Sequence, residues 1–151
     1  MMIYESLITI IASFGFGIIF NIRGKNLIFA AIGGGIGWFT YLLSLELGLS
    51  KILAMFISSI IISIYSEIFA RILKTPVTTL VISSLIPLVP GSGMYNTMYQ
   101  TILGNLYEAI ATGLETLAIA GTLAIGIILV STITKQISIY NINKKNWSHR
   151  K

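Results

Sequence analysis

The sequence predicts an all-α integral membrane protein, a bundle of about five transmembrane helices, and three observations carry that prediction. First, 55% of the 151 residues are hydrophobic and only 10% are charged, with no Asp anywhere. Soluble domains carry about 25% charge, because a polar shell has to cover the core. Second, the mean hydropathy is +0.88 over the whole chain. Third, the cations sit at the ends of apolar runs rather than within them. Lipid is therefore the solvent for most of this chain.

The elements follow in order from runs of about 20 residues, the length that crosses a hydrocarbon core. Apolar runs cover Ile3 to Ile22, Leu27 to Leu47, Ile52 to Leu73, Val77 to Tyr95 and Leu114 to Ile139. The first carries no basic leader, since Glu5 is the only charge before Arg23, and is expected to stay in the mature protein. The fourth contains Pro87, Pro90, Gly91 and Gly93, so a broken helix or a short helix with a re-entrant turn is expected there. Between Asn96 and Gly113 the mixture of Met98, Ile102, Leu103, Leu106 and Ile110 with polar residues predicts an interfacial amphipathic helix. Residues 1–140 then form one membrane domain, and residues 141–151 a polar, basic tail.

Charge sets the expected orientation, because Lys and Arg accumulate in cytoplasmic loops. Arg23 and Lys25 follow run one, Arg71 and Lys74 follow run three, and Lys135, Lys144, Lys145, Arg150 and Lys151 follow or close run five. The other ends carry Glu5, Glu46 with Lys51, and Glu108 with Glu115. Five crossings with the N-terminus outside and the C-terminus cytoplasmic satisfy every cation but Lys51. Four crossings, with run four re-entering, are the alternative. The cations do not interleave with aromatic residues, so no nucleic-acid partner is expected.

Small and polar residues inside the runs are the candidates for packing and for function. Gly33 and Gly37 on run two, and Ala118, Thr122 and Gly126 on run five, are spaced by four and suit close helix packing. Thr9, Ser13, Gly17 and Asn21 form one polar stripe, and Ser59, Ser63 and Glu67 another, with Ser58 and Ser66 beside it. Such stripes line a hydrophilic path for a polar solute, or bond to backbone and join helices. Glu67 precedes Arg71 by four residues, which suits an interfacial ion pair or a coupling carboxylate.

The segment Ile86-Pro87-Leu88-Val89-Pro90-Gly91-Ser92-Gly93-Met94-Tyr95 is the most specific. Breaking the backbone ladder at membrane depth requires protein or water to satisfy the freed groups. Transporters use such breaks to present carbonyls and helix ends to a substrate, and a helix starting after Gly93 would favour a carboxylate. There is no Cys, the single His149 lies in the tail, and the carboxylates are scattered. No catalytic constellation, metal site or cofactor is expected, and an enzyme is not.

Gly15-Phe16-Gly17-Ile18-Ile19-Phe20-Asn21 with the basic turn after it, the glycine-rich second run, Ala70-Arg71 ahead of Pro76, and Ile86-Pro87-Leu88-Val89-Pro90-Gly91 followed by Met94-Tyr95 together resemble the small subunit of the threonine/serine exporter family. The likeness covers about residues 10 to 130, and its specific part is the Ile-Pro-x-x-Pro-Gly element with a nearby tyrosine. The resemblance implies export of threonine and serine, or in some split pairs of succinate, across a bacterial inner membrane. It also implies a larger membrane subunit as partner, and Asn21, Pro87, Pro90, Gly91 and Tyr95 as the positions that match. Together with Ser59, Ser63, Glu67 and Ser92 these are the substrate-pathway candidates. An assembly or scaffold protein and a homo-oligomeric channel are the readings of another class.

Overall fold

The computed structural model of the chain describes residues 2–148, with side chains as far as Ile137. The described residues are helical between short turns: α1 Met2–Ile19, α2 Lys25–Glu46, α3 Lys51–Leu73, α4 Val77–Leu85, a 3-10 turn Ile86–Leu88, α5 Gly91–Ile102 and α6 Leu106–Ser148. Among the described residues four helices are long and apolar enough to cross a membrane, and a fifth span is added if α4 and α5, bent by 48° at their junction, count as one. The expectation of four to five spans with a broken fourth run stands.

The helix ends share one physical device. After α1, Asn21 takes φ 58, its N–H bonds to the Ile18 carbonyl, and the Ile22 N–H reaches back to Gly17. This paired closure through a left-handed residue satisfies the orphan carbonyls of the last turn. Gly48 after α2, Lys74 after α3 and Gly104 after α5 repeat it, with φ 80, 52 and 79. At the other ends, the Ser50 hydroxyl accepts from the Leu53 N–H to start α3, and Pro76 precedes α4. Both are ordinary helix starts.

Two expectations are corrected here. Asn21 is not on the helical stripe of Thr9, Ser13 and Gly17, because the chain has already turned; Ser6 precedes those three on the buried face of α1. The segment from Asn96 to Gly113 is not one long connection. It is a tight hairpin: α5 ends at Ile102, Gly104 turns the chain, and α6 begins at Leu106. The last helix therefore starts eight residues earlier than the apolar run at Leu114 suggested, and it runs on past Tyr140. Residues 149–151, with His149 and the last two cations, lie outside the described residues.

Glycine decides how the helices approach. A Cβ on Gly37 would lie 2.6 Å from Ile62 Cγ1 and 3.3 Å from Leu88 Cδ1. One on Gly33 would meet Tyr65 and Ser84, one on Gly34 would meet Ser13, and one on Gly126 would fall 3.1 Å from Ser59 Cβ. In lipid such close backbone packing replaces the hydrophobic drive. Around these approaches Tyr41, Ala54, Met55, Ile62, Leu88, Ile119 and Leu123 form one apolar cluster, and Ile22, Ala30, Ala70 and Leu80 another. On α6 the buried row passes through Thr116, Ile119, Leu123, Gly126 and Val130, while Ala118 is exposed and Thr122 only partly covered.

Candidate functional site

Depth in the bundle can be read from charge. Lys51 and Arg71 bracket α3, and at 1.5 Å per residue they stand roughly 30 Å apart, the thickness of a hydrocarbon core. Glu5, Glu46 and Glu115 lie at the Lys51 end, and Lys51 Nζ is 2.9 Å from Glu115 Oε1. Arg23, Lys25 and Lys74 lie at the Arg71 end, next to the first turns of α2 and the last turn of α3.

Between these levels the buried polar groups of α1 to α4 are serine and threonine hydroxyls. Ser83 Oγ on α4 donates to the Ser13 carbonyl on α1, and Ser84 Oγ donates to the Ala30 carbonyl on α2, each at 2.8 Å. Ser58 Oγ donates to the Gly37 carbonyl, and Tyr65 Oη to the Phe29 carbonyl at 2.9 Å. These bonds tie α4, α2, α1 and α3 together at the same depth as the glycine approaches. Ser59 and Ser63, buried on α3, donate to carbonyls of their own helix. Ser13 Oγ and Ser66 Oγ are buried without a partner. An unpaired buried hydroxyl is costly in a dry core, so Ser13 within the bundle and Ser66 nearer the Arg71 end carry unused polar capacity.

The break begins directly above this layer. Pro87 has no N–H to give to the Ser83 carbonyl four residues earlier, and the chain tightens into a 3-10 turn over Ile86–Leu88. Leu88 is fully buried beside Gly37 and Ile62, and it anchors the turn in the apolar cluster. Val89 N–H bonds to Ile86, Gly91 N–H to Val89, and Met94 N–H to Pro90. The new helix starts at Gly91 rather than after Gly93. Pro87 and Pro90 are half-buried, whereas Gly91, Ser92 and Tyr95 are exposed along one side of the bundle. Tyr95 stacks on Tyr99 with ring centroids 6.1 Å apart.

The sequence-predicted candidates thus fall in three places. Pro87, Pro90, Gly91, Ser92 and Tyr95 are together at the break. Ser59 and Ser63 lie inside the bundle on α3, with Glu67 one turn farther and its carboxylate 3.6 Å from Arg71. Asn21 is at the basic end, exposed, with its Oδ1 accepting from Arg23 Nε at 2.9 Å. Sequence reasoning missed Ser83 and Ser84. The signal for them was present: two adjacent hydroxyls inside an apolar run, just ahead of a proline.

A sequence model of the family described as Threonine/Serine exporter, ThrE matches residues 5–133. That range contains α1 to α5, the break and the part of α6 that packs on α3. No solved structure matches the chain. An apolar multi-helix body, a helix broken by Pro87 and Pro90 above a buried serine layer, and a family match along most of the length agree: this multi-pass membrane transport protein belongs to the threonine/serine exporter family.

Proposed function

We propose that this chain is the small subunit of a two-component secondary exporter, working with a larger membrane subunit to move a small carboxylate-bearing metabolite out of a bacterial cell. Threonine or serine is the substrate class that the family match favours, and a dicarboxylate such as succinate is the runner-up. The orientation proposed is N-terminus outside and C-terminus cytoplasmic, which the cations gathered at the Arg71 end support.

One observation carries the reading: the broken pair α4 and α5 is bent by 48°, and its break opens on the side of the bundle instead of closing inside it. In the proposed complex the second subunit faces that side, and the solute passes between the two. Carbonyls and N–H groups freed by Pro87 and Pro90 offer hydrogen bonds to an ammonium, a hydroxyl or a carboxylate. Gly91, with open space where a Cβ would stand, keeps the approach clear. The chain carries no phosphate-cradling glycine loop, which fits a cycle driven by an ion gradient rather than by nucleotide. Glu67, its side chain largely buried beside the exposed Arg71, is the candidate carboxylate for proton coupling in this reading.

Co-expression of the chain with its larger subunit, followed by measurement of threonine and serine efflux, tests the reading. Pro90→Leu and Gly91→Leu are expected to abolish efflux while leaving the amount of protein in the membrane unchanged. Undiminished efflux in both variants would remove the break from the transport path.

A further inference from the structure

Two basic turns close on each other at the Arg71 end. Asn26 Nδ2, in the first turn of α2, donates to Thr75 Oγ1 between α3 and α4 at 3.2 Å. Ile22, Leu73 and Val77, from the same two turns, share the apolar cluster around Leu80. Arg23 and Lys25 precede Asn26, and Lys74 precedes Thr75, so three exposed cations far apart in sequence gather at one level. Of the five acidic side chains only Glu67 is at this end, and Arg71 holds it at 3.6 Å. Arg23, Lys25 and Lys74 are left without an acidic side chain to answer them.

A groove opens beside them. The left-handed turn at Asn21 folds Ile22 inward, 8% exposed, and leaves Phe20 outside, 48% exposed. Between that turn and the start of α4 lies a cleft of about 230 Å³ lined by Phe20, Ile22, Thr78, Thr79 and Ile82. Thr78 and Ile82 stand one above the other on α4, so the cleft runs roughly 6 Å from the charge level toward the hydrocarbon. Its hydroxyls are at the shallow end and its deeper wall is apolar. It lies at the opposite end of α4 from the break at Pro87 and Pro90.

We infer that this groove holds an acidic phospholipid from the leaflet at the Arg71 end. An acyl chain lies on Phe20, Ile22 and Ile82, the Thr78 and Thr79 hydroxyls donate to ester or phosphate oxygens, and Arg23, Lys25 and Lys74 hold the headgroup charge. Two features select this occupant. Apolar walls with hydroxyls only at the shallow end match a lipid, whose chains lie below its esters and phosphate. Three cations without a countercharge choose an acidic headgroup over a zwitterionic one, and basic pockets between membrane helices are where such headgroups bind. One Lys or Arg near an acidic membrane surface is worth about 1 kcal/mol, which is about fivefold in affinity. The inference depends neither on which substrate is carried nor on which way round the chain inserts.

The chain has no cysteine, so Phe20→Cys can carry a single bimane, an apolar ring in place of an exposed one. The labelled chain, purified with whatever subunit accompanies it, is reconstituted in vesicles holding either phosphatidylglycerol or phosphatidylcholine brominated on the acyl chains. Quenching then gives the relative affinity of the groove for the two lipids. Phosphatidylglycerol is expected to be favoured at least about fivefold, the worth of one cation. Arg23→Gln with Lys74→Asn should bring that ratio below about twofold, asparagine being chosen because it tolerates the φ of 52 at position 74. Lys25→Gln alone, at a helix start where a cation is unfavourable, costs the fold nothing and should remove part of the preference. Lys51→Gln, at the other end of α3, should leave the ratio unchanged. Equal quenching by the two lipids, or a preference that survives Arg23→Gln with Lys74→Asn, overturns the inference. Quenching by neither lipid also overturns it, because another polypeptide then covers the groove.

Discussion

Gly37→Ala is the sharpest test of how this bundle is held. The added methyl would meet Ile62 at its Cδ1 and lie 2.6 Å from its Cγ1, which moves only with χ1, and a β-branched residue in a helix is held to one χ1 rotamer. Ile62 is fully buried, and the Ser58 hydroxyl donates to the Gly37 carbonyl at the same crossing. Separating α2 from α3 thus costs overpacking of about 1–3 kcal/mol. It also weakens an interhelical hydrogen bond whose typical worth in membranes is about 0.6 kcal/mol. Alanine returns about 1 kcal/mol of helix propensity. The net loss is about 1–2 kcal/mol, and at about 2–4 °C per kcal/mol for a chain of this length the Tm falls by about 2–8 °C. Gly15→Ala is the control, because nothing lies within 4 Å of its Cβ position; its Tm should hold or rise. Both variants would be followed as fluorescent fusions heated in mild detergent and scored for the monodisperse fraction. Equal shifts for the two variants would refute the close approach of α2 and α3.

Ser84→Ala removes the donor to the Ala30 and Leu80 carbonyls, and should lower stability in the same assay by about 0.6–1.7 kcal/mol. Lys51→Ala should cost less than about 1 kcal/mol, since the pair with Glu115 is half exposed on both sides, and the difference should shrink further in high salt. For orientation, Leu47→Cys, in a turn residue 72% exposed, should react with an impermeant maleimide added outside cells, whereas Arg23→Cys should react only after permeabilisation. The reverse pattern would invert the proposed topology.

Helix ends show what a one-dimensional reading can and cannot find. Gly48 lies between two long apolar runs, where the end of one helix was evident from sequence. Gly104-Asn105 carries the same signal, yet it sits in a mixed segment with no long apolar run on its N-terminal side. Hydropathy windows therefore passed over a tight hairpin there. Asn21 illustrates the reverse error, since a spacing of four kept it on the α1 stripe although asparagine tolerates the left-handed turn that ends the helix.

The break at Pro87 and Pro90 was legible because proline acts on its own backbone, wherever the rest of the chain lies. The partners of Ser83 and Ser84 were not, since a hydroxyl in an apolar run bonds equally well to its own helix or to a neighbour. Ser63 does the first and Ser83 the second, with the same local sequence character.

What the sequence by itself determined was the solvent, the approximate extents of the first three helices, and the place where the fourth run breaks. Those are local properties, set by transfer free energy and backbone chemistry over at most some twenty residues. The tertiary structure decided which small residues touch: Gly37 against Ile62, Gly126 against Ser59, and Gly93 against Thr116. It also decided the register of α6 on α3, set where Lys51 meets Glu115. Helix register in lipid is chosen by the fit of two surfaces, and no single strand of sequence contains both.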